Sequence, residues 1–346
     1  MLRNSEDNRA MKAVLLKCIE WRAKGHYLAA CLALLLITLG ETRVFDRLLY
    51  ANQAECAFVS LSVDGVLRGR PVYKGWQNRL LAPALIKALD SVTANRVESL
   101  KVLSHLALLC SNLLLFAIVR QRGGSLMCAC VAVAAFGFCR LLLVYKLEYP
   151  WDGVDTLIFL AFGYWSSTGR SILWFGPLLL VGILNHEAIL YVPFWYLLSP
   201  FDRAESPRGF AGGVASAAPV IAVTVLMVSS ILGLREYFYL GQPYVRAQVF
   251  EDATPLISNP IHVLHNLGQL LWANWSTERA FISVVELFTL GLLAVSAARN
   301  RRRRAAIWSM GVVASVVCFG YVNETRLYVV LLAFWFAHAW PLTPRW

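Results

Sequence analysis

The chain has 346 residues, of which 58% are hydrophobic and only 15% are charged. This composition is too apolar and too poor in charge for an ordinary soluble protein, so it predicts an integral membrane protein. The net charge of +11 does not indicate nucleic-acid binding, because the basic residues lie mainly in short segments between apolar runs, where they act as an orientation signal.

Apolar runs recur along the chain with no soluble-looking block between them. We therefore predict one all-α domain over residues 1–346, a polytopic transmembrane helical bundle with about 8–10 membrane segments. Spans are predicted at 26–40, 99–119, 125–144, 153–168, 210–233, 280–298, 305–320 and 327–341. Residues 171–199 fit either one long span or a hairpin of two short ones.

Residues 1–25 carry six Lys and Arg residues, and no cleavage site follows the first apolar run. The first span is therefore predicted to stay as an anchor, with residues 1–25 in the cytoplasm. If residues 171–199 form a hairpin, the arginine run 301–304 and the other short basic loops share that side. Most of the 21 acidic residues then lie on the opposite side.

Two long extracytoplasmic loops are predicted at residues 41–98 and 234–279. Each contains an apolar stretch with helical spacing, at 79–89 and 260–275, which predicts a helix lying in the membrane interface. We expect these loops to roof a cavity.

Carboxylates directly after the first span are candidates for a general base. They are Glu41, Asp46 and Asp64, and Asp46 is preferred because the apolar residues around it predict a separate helix that rests on the membrane with its polar edge turned inward. The alternative is a solvated helix with surface ion pairs.

Lys74, Gln77 and Arg79 precede the first interfacial helix and suit a lipid-linked phosphate, because arginine binds phosphate through two parallel hydrogen bonds. Arg79 fits equally well as a residue that extends to the head groups. The acidic turn 145–155 presents Asp152, which either contributes to the site or caps the next span.

Asn185, His186 and Glu187 are three consecutive polar residues at membrane depth, which predicts a functional site or a hydrogen-bonded hairpin tip. His186 is expected to donate to a phosphate and Glu187 to pair with an arginine. Glu324 and Arg326 follow a late span, and Arg326 is a candidate partner of Glu187.

Arg140 and Glu286 are expected to be a structural pair or groups that extend to the interface. His262 and His265 are too few for a metal site. The eight cysteines show no C-x-x-C pair. We predict no metal and no cofactor.

The layout resembles the GT-C superfamily of membrane glycosyltransferases. It is similar in particular to bacterial polytopic proteins with an R-L-L-A-P helix start, an Asn-x-Glu-x-x-Leu element and a late Glu-x-Arg, which stand here at 79–83, 185–190 and 324–326. The resemblance implies a bacterial inner-membrane enzyme that transfers a sugar from a polyprenyl-phosphate-linked donor outside the cytoplasm. By that analogy Asp46 is the base, and Arg79, His186 and Arg326 stabilise the departing lipid phosphate.

Two other functions fit the same sequence. One is a transporter or flippase of a lipid-linked or anionic solute, with Arg140 and Glu286 on its path. The other is a non-catalytic membrane partner whose outer loops dock another protein.

Overall fold

The computed structural model is helical wherever it describes regular structure. Its described residues are 3–50, 53–68, 79–144, 149–168, 171–198, 210–239, 263, 264, 266, 303–319 and 328–339, and no β-strand occurs among them. The all-α prediction is confirmed for these residues.

The helices are named here in chain order. They are α1 (Arg3–Leu49), α2 (Gln53–Leu67), α3 (Leu81–Leu89), α4 (Arg96–Gln121), α5 (Leu126–Leu143), α6 (Pro150–Ser167), α7 (Gly176–Asn185), α8 (Tyr191–Leu197), α9 (Phe210–Tyr239), α10 (Arg303–Phe319) and α11 (Val329–Ala339). Two 3-10 turns, Ile172–Phe175 and Glu187–Leu190, precede α7 and α8.

Three helical segments are long and apolar enough to cross a membrane: Gly25–Leu48, Arg96–Gln121 and Leu126–Leu143. They match three of the predicted spans and support an all-α membrane protein. Shorter apolar helices occupy Ile172–Asn185, Ala218–Leu234, Arg304–Cys318 and Val329–His338. The predicted span 280–298 lies outside the described residues, and the total of 8–10 segments stays a prediction.

Helix α1 extends well past the predicted end of the first span at residue 40 and continues to Leu49. Glu41 and Asp46 therefore lie on this continuous helix, and the prediction of a separate interfacial helix around Asp46 is wrong. The helix continues through Glu41 because Asn112 of α4 donates a hydrogen bond to the buried carboxylate of Glu41. Hydropathy alone predicts that the span ends at this acid.

The core is built around α6, which packs along α11 and α4. Aromatic rings fill the space between α6, α8, α10 and α11. Phe162 and Trp308 are fully buried, and the rings of Trp308 and Phe334 have centroids 4.3 Å apart. The close approach of α11 depends on Gly163, because a Cβ there would lie 2.6 Å from the carbonyl oxygen of Phe334.

Replacing Gly163 with alanine is expected to lower the free energy of unfolding by about 1–3 kcal/mol, because the new methyl group must push α6 and α11 apart. The matched control is Gly176→Ala, since a Cβ at Gly176 has no atom within 4 Å. Unfolding in detergent micelles, followed by circular dichroism, measures both variants. Equal stability of the two would contradict the close contact.

Residues 172–197 form a hairpin rather than one long span. The ring of Phe175 at its start lies 5.7 Å from the ring of Tyr196 at its end, centroid to centroid. The helix breaks at His186, whose backbone is extended. The turn is tight because Gly182 has no side chain: a Cβ there would lie 2.3 Å from the side chain of Ile189.

Several helix ends meet at what we call the basic end of the bundle. Arg122 donates to Ser167, and Arg304 donates from Nε to the carbonyl of Trp195 at 2.8 Å. The ring of His338 lies 5.2 Å from that of Trp195. The hairpin tip at His186 is at the other end of α8, so the basic end and the hairpin tip are separated along the bundle.

A second, smaller core joins α2, α3 and the first turns of α4 and α6. Its fully buried members include Val63, Ile86 and Trp151. The helix predicted at residues 79–89 is present as α3, and the backbone N–H of Leu80 donates to the carbonyl of Leu184 at 2.7 Å. This bond fixes the start of α3 beside the hairpin tip. Most of the helix predicted at 260–275 lies outside the described residues.

Candidate functional site

Six polar and aromatic side chains from three separate segments meet at the hairpin tip. We call this group the hairpin-tip cluster; its members are Arg79, Trp151, Asp155, Asn185, His186 and Glu187. The segment before α3 supplies the arginine, the first turns of α6 supply the tryptophan and the aspartate, and the break between α7 and α8 supplies the other three. Hairpin formation is what brings the tip residues to α6.

Asp155 holds the tip through two neighbouring residues. Its Oδ2 pairs with His186 Nδ1, and its Oδ1 accepts from Asn185 Nδ2 at 2.8 Å. The same amide nitrogen also donates to the carbonyl of Trp151 at 2.9 Å. An ionised carboxylate at Asp155 only accepts, so with it His186 holds its proton on Nδ1 and presents Nε2 to its other side.

Arg79 and Glu187 form the second pair of the cluster. Arg79 donates from Nη2 to Glu187 Oε1 at 3.1 Å, and its guanidinium lies 4.9 Å from the ring centroid of Trp151. The prediction that Glu187 pairs with an arginine is confirmed, and the partner is Arg79. The ring face stabilises the buried cation in addition to the carboxylate.

The two pairs lie next to each other. His186 Nε2 is 3.9 Å from Glu187 Oε2, so the four groups alternate in sign when the histidine is protonated: Asp155, His186, Glu187 and Arg79. Such an arrangement keeps the buried charges balanced. Asp155 is buried, and the side chain of Glu187 is 35% exposed, but Glu187 Oε2, the oxygen nearest His186 Nε2, is itself buried.

An aspartate-bound histidine is suited to accept or give a proton at its second ring nitrogen. The neighbouring guanidinium is suited to an anionic oxygen such as that of a phosphate. The cluster therefore combines a proton-transfer group with an anion-binding group. Its structural role is equally visible, since it ties the hairpin to α6 and to the start of α3.

Asp152 acts as a helix cap. Its Oδ2 accepts from the backbone N–H of Tyr149 at 2.9 Å, and it stands at the third position of a capping box on α6. Asp152 is predicted as the N-cap of the next span, but Tyr149 occupies that position and Asp152 caps from the third position of α6. Its predicted contribution to substrate binding stays a prediction.

Asp46 does not join the hairpin-tip cluster. Its Oδ1 lies 2.9 Å from His105 Nε2, on the side of α4 that faces α1. On α4, the residues that pack towards Trp151 and α6 are Leu103 and Ala107. They lie about 160° away from His105 around the helix. The expected convergence of Asp46 with Arg79, His186 and Glu187 is therefore not found.

Asp64 belongs to an ion-pair network at the start of α4. Its Oδ1 accepts from Arg96 Nη1 at 2.7 Å, and Arg96 also pairs with Asp90 at 2.6 Å. Burial by itself would raise the pKa of Asp90, but the hydrogen bonds from Ser99 and Arg96 outweigh it and hold that pKa below its usual range. Asp64 is thus an ion-pair partner in this structure.

Glu41 lies on the α1–α4 interface. Its Oε2 accepts from Asn112 Nδ2 at 2.7 Å, and the positive charge of Arg140 acts on the same carboxylate. Arg140 is fully buried, which agrees with the expectation of a structural charge. Its suggested partner Glu286 lies outside the described residues.

Other predicted residues also lie outside the described residues. These are Lys74, Gln77, Glu324, Arg326, His262 and His265. The predicted contact between Arg326 and Glu187 stays a prediction.

Sequence reasoning did not predict the partners in three polar pairs. These pairs are Asp155 with His186, His105 with Asp46, and Asn112 with Glu41. Asp155 had a usable signal, because Trp151 and Asp155 stand four residues apart on one face of α6. No comparable signal points to His105 or Asn112, whose partners lie far away in the sequence.

No protein-family model, no curated protein and no solved structure matches the chain.

Proposed function

We propose that the protein is a membrane glycosyltransferase that moves a sugar from a polyprenyl-phosphate-linked donor to an acceptor on the extracytoplasmic side. The observation that carries this proposal is the hairpin-tip cluster, in which the Asp155–His186 pair stands beside Arg79 at the end of an apolar bundle. A lipid-linked phosphate and a hydroxyl acceptor need these two kinds of group next to each other. The resemblance to the GT-C superfamily points to the same chemistry.

In this proposal His186 replaces Asp46 as the base. The acceptor oxygen attacks the anomeric carbon, and His186 Nε2 takes the acceptor's proton. The bond between that carbon and the phosphate oxygen breaks, and the lipid phosphate leaves as an anion. Arg79 parts from Glu187 and stabilises that anion. Asp155 keeps His186 in the tautomer that this step requires.

The proposal places the hairpin tip outside and the basic end in the cytoplasm, within a bacterial inner membrane. The basic end contains Arg122 and Arg304, and short loops rich in arginine stay preferentially on the cytoplasmic side. Lipid carriers of this type reach the hairpin tip from the outer leaflet.

A bound lipid is the direct test. Mass spectrometry of gently purified protein is expected to detect a polyprenyl-phosphate lipid, and Arg79→Ala is expected to lose most of it. Arg120→Ala is the matched control, because Arg120 bonds to Tyr27 and Gly124 near the basic end. Absence of the lipid from the wild type, or equal retention by Arg79→Ala, would contradict the proposal.

A transporter is a second candidate function, favoured by the buried Glu41, Asn112 and Arg140 between the spanning helices. Charged groups inside a membrane often mark a path for ions or solutes. A transporter moves a lipid-linked or anionic solute across vesicles that contain the purified protein, whereas a glycosyltransferase yields a sugar on a new acceptor.

A further inference from the structure

A stripe of polar pairs follows the contact between α1 and α4, on the side of α4 away from the hairpin-tip cluster. We call it the α1–α4 stripe; its members are Thr38, Glu41 and Asp46 of α1 and Tyr50 directly after that helix, with Ser104, His105 and Asn112 of α4. The hydroxyls of Tyr50 and Ser104 lie 2.8 Å apart, and the Asp46–His105 pair follows along the helices. Deepest in the span, Asn112 Nδ2 donates to Glu41 and, at 3.0 Å, to Thr38.

Hydrogen bonds that only hold two membrane helices together contribute modestly to stability. In such contacts each buried polar atom has a hydrogen-bond partner. Glu41 differs, because its Oε2 is bonded to Asn112 while its Oε1 is buried without a hydrogen-bond partner among the described residues. An ionised oxygen in that position costs free energy that helix association alone does not offset.

The packing of α5 makes room for this oxygen. A Cβ on Gly137 would lie 1.4 Å from Glu41 Oε1, so only glycine at position 137 lets the carboxyl group occupy its place. The carboxyl is thus held in a fixed, closed position between α1, α4 and α5.

Few titratable groups face Glu41 from the helices packed around it. Arg140 of α5 acts on it electrostatically, and the thiol of Cys139 is the next titratable group on that helix. From α4 the nearest titratable group along the stripe is His105, and from α1 it is Asp46; Arg43 of α1 is closer to Glu41 in the sequence but is exposed. One guanidinium therefore favours the ionised form, while the closed surroundings favour the neutral form.

The Asp46–His105 pair lies nearer the end of the spanning segment Gly25–Leu48 than Glu41 does, which is the place for a group that passes protons to the aqueous side. Their side chains are about one third exposed, and His105 uses only Nε2 in its bond to Asp46. Imidazole takes up a proton on one nitrogen and releases it from the other. Asp46 stands five residues from Glu41, about 7.5 Å along the helix axis and about 140° around it, so a proton that passes between them needs a chain of at least two water molecules.

We propose that Glu41 is a proton-binding site within the membrane span of α1 and that the Asp46–His105 pair exchanges its proton with the aqueous side. Protonation converts the Oε1 carboxylate oxygen to a hydroxyl, and the imidazolium of His105 returns to imidazole. The inference is independent of the proposed glycosyl transfer and needs no substrate.

Infrared spectroscopy of the full-length protein in lipid vesicles tests the proposal. The acid-minus-alkaline difference spectrum is expected to show the C=O stretch of a protonated carboxyl group in an apolar site, and Glu41→Gln is expected to remove that band. Glu98→Gln is the matched control and should leave it unchanged, because Glu98 is an exposed carboxylate that pairs with Lys101 at the start of α4.

The role of the exchanging pair is read from the same band. After transfer to heavy water the band shifts as deuterium replaces the proton, and His105→Ala is expected to slow this shift at least tenfold. An unchanged rate in His105→Ala would overturn the assigned route.

A second variant keeps the test valid if Glu41→Gln does not fold. Asn112→Leu removes the hydrogen bond to Glu41 Oε2, so the band is expected to move to a higher frequency while the carboxyl remains. No pH-dependent band in the wild type, or a band unaffected by both variants, would overturn the proposal.

Discussion

Replacing Arg79 with methionine is expected to lower the free energy of unfolding by about 2–3 kcal/mol. The substitution leaves Glu187 without its cation, and removing one partner of a buried ion pair costs about 3–5 kcal/mol when the pair is fully buried. We expect a loss of about 2–3 kcal/mol, at or below the lower end of that range, because the side chain of Glu187 is 35% exposed. Unfolding of the purified protein in detergent micelles measures the change.

A double-mutant cycle separates the ion pair from the packing of Arg79 against Trp151. The double variant Arg79→Met with Glu187→Gln is expected to be at least 1 kcal/mol more stable than the sum of the single losses predicts. Arg96→Met with Asp64→Asn is the exposed comparison, since that pair is more solvated and its coupling should stay below about 1 kcal/mol. Additive losses at Arg79 and Glu187 would show that the two side chains are not coupled.

Asp155→Asn and His186→Gln are each expected to slow sugar transfer about 100-fold or more. Asparagine at position 155 no longer holds His186 Nδ1 as a donor, and glutamine at position 186 has no proton-accepting nitrogen; loss of a general base typically costs 10²–10⁴ in rate. Transfer of labelled sugar from polyprenyl-phosphate lipids in vesicles with purified protein measures the rate.

The control for this effect is a histidine at the other end of the bundle. His338 is also buried, and its Nδ1 lies 2.9 Å from the hydroxyl of Ser166. His338→Gln is expected to retain most of the activity. If His186→Gln and His338→Gln transfer sugar at the same rate, His186 is not the base.

Helix positions were largely predictable because their signal is local. The apolar runs at 99–119 and 125–144 correspond to α4 and α5, and the stretch at 79–89 corresponds to α3. A capping role for Asp152 could be stated because aspartate is favoured at helix starts, although the N-cap itself is Tyr149, three residues earlier. The end of α1 was misplaced because a single acid, Glu41, looked like a boundary on hydropathy alone.

The candidate site was predictable only in part. Asn185, His186 and Glu187 stood out as polar residues within an apolar run, and Arg79 stood out at the start of an apolar helix. The residues that pair with them could not be identified from the sequence. Arg79 and Glu187 are 108 residues apart, and nothing in either segment indicates that the other lies beside it.

By itself the amino-acid sequence determined that this is an apolar helical protein, where most of its described helices run, and that charged residues concentrate near certain helix ends. These properties follow from composition and from periodicity over a few turns. Only the tertiary structure decided that Asp155 meets His186, that Glu187 meets Arg79, and that Asp46 turns to His105 on the other side of α4. Such pairings depend on which face each helix presents to its neighbours, and that is set by packing the whole bundle at once.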